Sequence, residues 1–317
     1  MSTLIITSLN ALSFGLLLFL LSAGLTLIFS MMGVLNFAHA GFYMLGAYLA
    51  YTLGLHVGFF PALFLAPLLV GGLGMAVERF GLRSVHAYGH VAELLFTFGL
   101  SYIIEEIVQL IWGKAPVSYP VPEILSGDAF TVLGAPFPSY RLFLMLVSVA
   151  ALLVLYGIIK KTRVGLVVQA ALTHPDMVEA LGHDVPKVFM LVFGVGIALA
   201  ALAGAAGAPM AVTEPAMAQA IGPIVFVVVV LGGIGSLKGA FIAALLLGFT
   251  QNFAILFDVS PYQIILDAFG ARAAAVFDQE FMRITIAQSA PLLPFALMVL
   301  VLLVRPQGLC GNRGGGL

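Results

Sequence analysis

The feature that most constrains this chain is a series of apolar runs about 20 residues long, separated by short polar segments. A helix rises about 1.5 Å per residue, so about 20 residues cross the roughly 30 Å hydrocarbon core of a bilayer. The strands of a membrane barrel would instead alternate polar and apolar residues over about ten residues, and no such alternation is present. The runs therefore predict an all-α, polytopic transmembrane helix bundle of about eight to ten spans.

Nine candidate spans can be placed along the sequence. They cover residues 9–30, 34–55, 59–80, 91–112, 141–159, 188–210, 219–235, 238–257 and 286–304. The second is interrupted near its start by Gly33 and Asn36, which predicts a broken helix. No stretch between the spans is long enough for a separate core, so residues 1–317 are predicted to form a single transmembrane domain.

Composition excludes several classes of function. The chain is 62% hydrophobic and 9% charged, whereas about a quarter of the residues of a soluble domain are charged. With a net charge of -1, the chain lacks the excess of basic residues expected of a nucleic-acid binder. Cys310 is the only cysteine, and no nucleophile elbow, HExxH motif or paired Cys/His cluster is present. We therefore predict no enzyme, no catalytic residue, no metal site and no cofactor bound by this chain.

One glycine-rich segment, LGGIGSLKGA at residues 231–240, resembles a phosphate loop only superficially. That motif needs a glycine immediately before the lysine and a hydroxyl after it, and Lys238 has neither. The segment instead predicts a helix break, in which the turn glycines are Gly232, Gly233, Gly235 and Gly239. It is either a tight turn between two membrane helices or a non-helical stretch that lines a transport path.

The distribution of Lys and Arg predicts the orientation, because cytoplasmic loops carry an excess of both. Nine fall on one side of the span arrangement: Arg79, Arg83, Lys160, Lys161, Arg163, Lys187, Lys238, Arg305 and Arg313. Four fall on the other: Lys114, Arg141, Arg272 and Arg283. The first side is predicted to be cytoplasmic, with the N-terminus and the loops 113–140 and 258–285 outside. If the seventh span is re-entrant, the N-terminus changes side.

Polar residues within the second span are candidates to line a path for a polar solute, because such groups are costly in lipid. On a continuous helix, Asn36, His39 and Tyr43 would share one face at spacings i, i+3 and i+7. The alternative is that they bond to neighbouring helices and open the broken start of their own helix.

The fourth span carries a polar residue at every fourth position. The stripe consists of Glu93, Thr97, Ser101, Glu105 and Gln109, with Glu106 beside it. A four-residue step advances 400°, so the stripe stays contiguous along the helix. It predicts a wall of the translocation path or of an interface with a second membrane subunit, or else a hydrogen-bonded seam within this chain. Glu105 and Glu106 point about 100° apart and are not predicted to act as a catalytic pair.

A short cytoplasmic helix is predicted within THPDMVEALG, residues 173–182. Thr173 is the expected N-cap, Pro175 opens the helix, Asp176 completes a short capping box and Gly182 ends it. Few other residues are predicted on the cytoplasmic side, so this self-capped helix could present a rigid contact surface to another protein. The alternative is a surface helix packed on its own bundle.

Four stretches together resemble a known family. They read GLTLIFSMMGVLNFAHAGFYMLGAYLAY (24–51), TRVGLVVQAALTHPDMVEALGHDV (162–185), VLGGIGSLKGAFIAALLLG (230–248) and LVRPQGL (303–309). In collinear order over nearly the whole chain, they resemble the membrane permease subunits of branched-chain amino acid ABC importers of the high-affinity leucine/isoleucine/valine type. Two departures stand out: Gln169 replaces an expected basic residue, and residues 258–283 match nothing in that family.

The resemblance implies a multi-pass subunit of the bacterial inner membrane. Its implied partners are a second homologous permease, two cytoplasmic ATP-binding subunits that hold ATP and Mg, and a periplasmic solute-binding protein. It also implies that residues 173–182, including Glu179 and Ala180, form a coupling helix that docks on an ATPase. The implied solutes are branched-chain amino acids or related small amino acids and amides. The alternative from the residues alone is a proton-coupled secondary transporter with Glu105, Glu106 or His39 as the relay.

Overall fold

A computed structural model describes residues 1–173, 175–270 and 279–311 of the protein. The helices are α1 (Ser2–Met32), α2 (His39–Val57), α3 (Phe59–Val77), α4 (Arg83–His86), α5 (His90–Trp112), α6 (Ser139–Lys161), α7 (Arg163–Thr173), α8 (Pro175–Ala180), α9 (Val185–Gly207), α10 (Met217–Gly232), α11 (Leu237–Leu256), α12 (Pro261–Phe269) and α13 (Leu293–Val304). A π-helical stretch, Glu78–Leu82, joins α3 to α4. Strands β1 (Asp128–Val132) and β2 (Ala135–Pro138) form an antiparallel hairpin.

The predicted helix bundle is confirmed, and each of the nine predicted spans contains a helix. Within residues 1–173, 175–270 and 279–311, six helices are long and apolar enough to cross a membrane: Ser2–Ser30, Phe59–His86, His90–Trp112, Ser139–Lys161, Val185–Met210 and Leu237–Leu256. Two apolar helices, Met217–Gly232 and Ala290–Val304, are shorter. The hairpin and the helices α7 and α12 were not predicted, because their segments lie between the apolar runs.

Helix α9 identifies the two ends of the bundle. At its start, the Arg83 guanidinium donates a hydrogen bond to the Pro186 carbonyl at 2.8 Å. Near its other end, the Tyr140 hydroxyl donates to the Ala206 carbonyl at 2.7 Å. We call the first the basic end and the second the hairpin end, since β1 and β2 contact the first residues of α6. The hairpin also contacts α1, which begins at this end.

Helix α10 connects both ends, so the seventh span crosses the bundle and is not re-entrant. Just before it, Thr213 pairs with Val117 of the hairpin-end loop. At its other end, the Leu231 carbonyl accepts a hydrogen bond from the amide of Leu309, which follows Arg305 at the basic end. This places the beginning of α1 and the segment after α13 at opposite ends of the molecule, as the nine-span arrangement predicts. Arg272 and Arg313 lie outside the described residues.

The centre of the bundle is formed by α1, α2 and α9, which pack backbone against backbone. A side chain at Gly24 would overlap the Gly196 carbonyl, and one at Gly204 would overlap the Tyr43 carbonyl. Small residues let membrane helices approach this closely. The glycines of α9 therefore face α1 at Gly196 and α2 at Gly204.

The predicted glycine break forms the turn between α10 and α11 at the basic end. Gly233 and Gly235 adopt positive φ angles of 99° and 81°, a region that side chains make costly. The Ser236 hydroxyl then caps α11 by accepting from the Gly239 amide at 3.1 Å. Gly239 lies so close to Gly232 that a side chain on either would overlap the other's backbone. The break is therefore a tight interhelical turn.

Candidate functional site

The prediction that Asn36 shares a helix face with His39 and Tyr43 is wrong, because α2 begins only at His39. Asn36 lies in the non-helical stretch between α1 and α2 and is fully buried. Its side-chain oxygen accepts from the Ala38 amide at 3.0 Å, and its carbonyl accepts from the His39 amide at 3.2 Å. An asparagine that bonds two residues along its own backbone stabilises a turn. The predicted break at Gly33 and Asn36 is thus present, and Asn36 helps to form it.

His39 joins two helices. Its Nε2 lies 2.9 Å from the Leu21 carbonyl of α1, and the ring is almost fully buried. Because a carbonyl only accepts, Nε2 carries the proton. His39 is therefore a structural link between α1 and α2. One turn later, Tyr43 lines a cavity at the hairpin end, next to Gly207 of α9.

The polar stripe of α5 divides into two parts, and the part near the basic end is a seam within the chain. Glu93 is buried, and its carboxylate accepts from His86 and from His90, the latter at 3.1 Å. The Thr97 hydroxyl, also buried, accepts from the Phe37 amide at 3.3 Å. These bonds tie the start of α5 to α4 and to the stretch before α2.

In the other part of the stripe, Ser101 and Glu105 line a cavity of about 650 Å³ between α2, α5, α10 and α13, which we call the central cavity, and Gln109 lies outside it. Its wall is apolar except for Ser101, Tyr102, Glu105 and Gln219. The Glu105 carboxylate accepts from the Gln219 amide of α10 at 2.8 Å and from Gln109 at 3.3 Å. Polar groups within an apolar bundle usually face a partner or a water-filled cavity. Glu106, beside the stripe, is exposed on the outer surface of α5.

Gln219 and Tyr102 are lining residues that the sequence analysis missed. Gln219 stands alone as an amide in the apolar run of α10. The rule that singled out the α5 stripe, that polar groups in a span face a cavity or a partner, applies to it equally. Tyr102 carried no such signal, because one tyrosine among apolar residues is ordinary at a helix surface.

At the basic end, residues 163–173 and 175–184 lie between α6 and α9, and we call them the arm. Helix α7 lies on the end of α6, where the Gln169 amide donates to the Ile159 carbonyl at 2.8 Å. Gln169, which departs from the expected basic residue, thus has a structural role. Helix α8 follows, and among its described side chains Val178 is the buried one, packed with Ala171 and Val185.

The predicted short helix is present as α8, Pro175–Ala180, and ends where expected. Gly182 has a φ angle of 87°, and its amide donates to the Glu179 carbonyl at 2.9 Å. Asp176, Met177, Glu179, Ala180 and Leu181 are exposed. Thr173 is the last residue of α7, and the side chains of Thr173 and Pro175 lie outside the described residues. The role of Thr173 as an N-cap therefore stays a prediction.

The sequence matches the family described as branched-chain amino acid transport system / permease component over residues 7–302. The chain belongs to this family. It is therefore a transport permease component and not an enzyme. This agrees with the resemblance of the four sequence stretches and with the helical bundle.

Relatives with established names cover nearly the full length. The chain is 27% identical to the high-affinity branched-chain amino acid transport system permease protein LivH of Escherichia coli (strain K12), over 96% of this chain and 94% of that protein. It is 28% identical to the corresponding protein BraD of Pseudomonas aeruginosa, with the same coverage. A solved structure, PsaBC from Streptococcus pneumoniae in complex with Fab, matches with 14% identity, a TM-score of 0.44 and coverage of 94% and 91% of the two chains.

Proposed function

We propose that this chain is the membrane permease of an ATP-driven importer for branched-chain amino acids or related small amino acids and amides. It would pair with a second homologous permease, two cytoplasmic ATP-binding subunits that hold ATP and Mg, and a periplasmic solute-binding protein. Its place would be the bacterial inner membrane, with the basic end in the cytoplasm. The family and the names of its relatives support the class of solute.

The observation that carries the coupling role is the exposed surface of α8. Val178 packs this helix on the arm, while Asp176, Met177 and Glu179 of α8 are exposed, as is Leu181 just after it. Met177 is 66% exposed and Leu181 is 79% exposed. A helix of mixed acidic and apolar surface suits a groove with a basic rim on a partner. The arm joins α6 to α9, so force on α8 would reach the bundle centre.

The solute path in this proposal includes the central cavity. In the wall of this cavity, the hydrogen bond from Gln219 to Glu105 joins α10 to α5. A change in the spacing of these helices would make or break that hydrogen bond. The exposed outer face of α5 is where the second permease would pack, which would close the cavity from lipid. Asn36 and His39 would serve as structural supports of the broken helix beside this path.

The alternative of a proton-driven transporter lacks a relay in the described part of the chain. His39 bonds to the Leu21 carbonyl, Glu105 bonds to two glutamines, and Glu106 is exposed. Among residues 1–173, 175–270 and 279–311, no hydrogen bond joins any two of these three groups. We therefore expect a pH gradient alone to drive no uptake.

The test is reconstitution of the chain with its cognate ATPases, partner permease and binding protein in liposomes. Leucine uptake should require ATP and all subunits. Replacing both acids of α8 (Asp176→Lys with Glu179→Lys) should lower uptake about tenfold or more, because reversed charges weaken docking. Solute-stimulated ATP hydrolysis should fall in parallel.

The matched control is Lys238→Glu, which reverses an exposed charge at the basic end outside the arm. It should leave uptake and ATP hydrolysis unchanged. Full uptake by the α8 double variant, or uptake by this chain alone under a pH gradient, would overturn the proposal.

A further inference from the structure

A second cavity lies at the hairpin end, on the other side of α2 and α10 from the central cavity. It has a volume of about 380 Å³ and is enclosed by α1, α2, α6, α10, α11 and the end of α9. We call it the polar cavity, because five polar side chains line it in addition to Tyr43: Asn10, Ser13, Arg141, Gln251 and Asn252. Neither the polar stripe nor the arm contributes to it.

Arg141 is the charged group of this cavity, and its charge is not neutralised by the protein. It is half-buried in the first turn of α6. Across residues 1–173, 175–270 and 279–311, no ion pair or hydrogen bond to its side chain is formed. The start of a helix is itself positive, so Arg141 and α6 reinforce each other. A half-buried guanidinium without a protein partner is available to an anion, and a carboxylate matches its geometry.

The cavity also contains a hydrogen-bond acceptor that has no donor in the protein. The Asn10 side-chain oxygen is buried and accepts no hydrogen bond from the described protein. A buried carbonyl without a donor is costly, so this oxygen calls for a ligand that donates hydrogen bonds. Ser13 lies one turn further along α1 and is 3% exposed. Asn252 uses its amide nitrogen on the Gly248 carbonyl at 2.9 Å, which leaves its oxygen for a ligand.

The remaining wall is apolar. It includes Leu17, Leu18 and Leu21 of α1, Leu144 of α6 and Ile221 of α10. A ligand that satisfies all three features carries a carboxylate, a hydrogen-bond donor such as an ammonium group, and an aliphatic side chain. A cavity of this volume is within the usual range for small-molecule sites.

We propose that the polar cavity is a binding site for a zwitterionic amino acid with an aliphatic side chain, held by Arg141 at its carboxylate and by Asn10 at its ammonium group. The inference deepens the proposed function, because it gives the permease its own solute contacts at the end where a binding protein would deliver the solute. Ile221 and Gly222 are neighbours on α10 that line the polar and the central cavity respectively. A rotation of α10 would therefore affect both.

The experiment measures binding of radiolabelled L-leucine to the purified full-length chain in lipid nanodiscs, without ATPases or binding protein. Wild type should bind saturably. Arg141→Met should weaken binding at least about tenfold, and Asn10→Leu should weaken it by a smaller factor. Leucinamide, which lacks the carboxylate, and N-acetyl-leucine, which lacks the ammonium group, should both compete poorly.

Arg79→Met is the matched control, since it removes an exposed arginine at the basic end. It should leave leucine binding unchanged. Unchanged binding in a folded Arg141→Met variant would overturn the proposal. So would native mass spectrometry that finds a phospholipid retained by wild type, lost in Arg141→Met and not displaced by leucine, because Arg141 would then hold a lipid phosphate.

The outcome is separable from that of the proposed function. If the isolated chain binds leucine through Arg141 but the reconstituted complex does not couple uptake to ATP, the cavity stands and the importer proposal fails. If uptake is ATP-driven and unaffected by Arg141→Met, the importer proposal stands and the cavity proposal fails.

Discussion

The centre of the bundle and the arm at its basic end are built in opposite ways. In the centre, α2 is buried along its first ten residues, His39–Tyr48, and touches α9 backbone to backbone. Among the described side chains of the arm, the buried residues are Gly165, Val168, Ala171 and Val178. One region has many close contacts per residue, and the other has few.

This difference indicates which parts can change shape. Local opening costs little where few apolar contacts hold a segment and much where the core is continuous. A permease that is moved by a partner needs both kinds of region. The bundle centre would move as a rigid body, and the arm would adjust to the partner on which it docks. Substitutions in the centre should therefore alter folding, and substitutions in the arm should alter coupling in a folded protein.

The largest expected effect is that of Gly204→Leu in the centre. Its side chain would overlap the Tyr43 carbonyl, so α2 and α9 would have to separate. Overpacking in a core costs about 1–3 kcal/mol, and displacement of a backbone costs more. We expect loss of the folded monomer in size-exclusion chromatography. Gly72→Ala, at a glycine with open space around it, should be neutral or slightly stabilising. A monodisperse Gly204→Leu protein would refute the close packing.

Val178→Asp should have an intermediate effect, confined to the arm. It places an unpaired charge in the small cluster with Ala171 and Val185, at a cost of about 3 kcal/mol. Amide hydrogen exchange in residues 175–182 should accelerate at least about tenfold, while the melting temperature of the bundle stays nearly constant. Met177→Asp, the same change on the exposed neighbour, should leave exchange unaltered. A global loss of stability would show that the arm and the centre form one cooperative unit.

The smallest effect concerns the junction of the two regions, where Asp184 caps α9. The pKa of its carboxyl is held below its usual range, first by a hydrogen bond from the Lys187 ammonium group and then by the Lys187 amide. Because the pKa is lower in the folded state, the stabilisation is present above the ordinary aspartate pKa and is lost as the pH falls through the folded value.

The protection factor of the Lys187 amide, measured by hydrogen exchange, should therefore decline in acid. Asp184→Asn keeps the capping oxygen but has no charge to titrate, so its protection should be a few-fold lower at neutral pH and independent of acid. A wild-type protection factor that stays flat into acid would contradict this account.

Much of the fold could be predicted from the sequence because hydrophobic run length and helix rise are local properties. The break before α2, the turn of Gly233 and Gly235 and the end of α8 at Gly182 were all predicted from residues with strong local preferences. The position of Asn36 was not, because its spacing from His39 suits a helix and the competing turn depends on a bond to its own backbone.

The candidate site was predicted less completely, because a cavity depends on how helices pack. The stripe of α5 was visible, yet its division into a seam at Glu93 and a cavity wall at Glu105 depends on which elements face it. Gln219 comes from α10, which is 114 residues away in sequence from Glu105. The polar cavity likewise unites Asn10, Arg141 and Asn252, whose nearness no local pattern indicates.

By itself, the sequence determined that this chain lies in a membrane, that it crosses it as helices and where those helices stop, because each follows from the solvation and backbone preferences of neighbouring residues. Only the tertiary structure decided which polar groups meet one another and which remain unpaired beside a cavity. The physical reason is that two polar groups can pair in an apolar bundle only if their helices have the right rotation and separation. Both are determined by contacts between glycines that lie far apart in the chain.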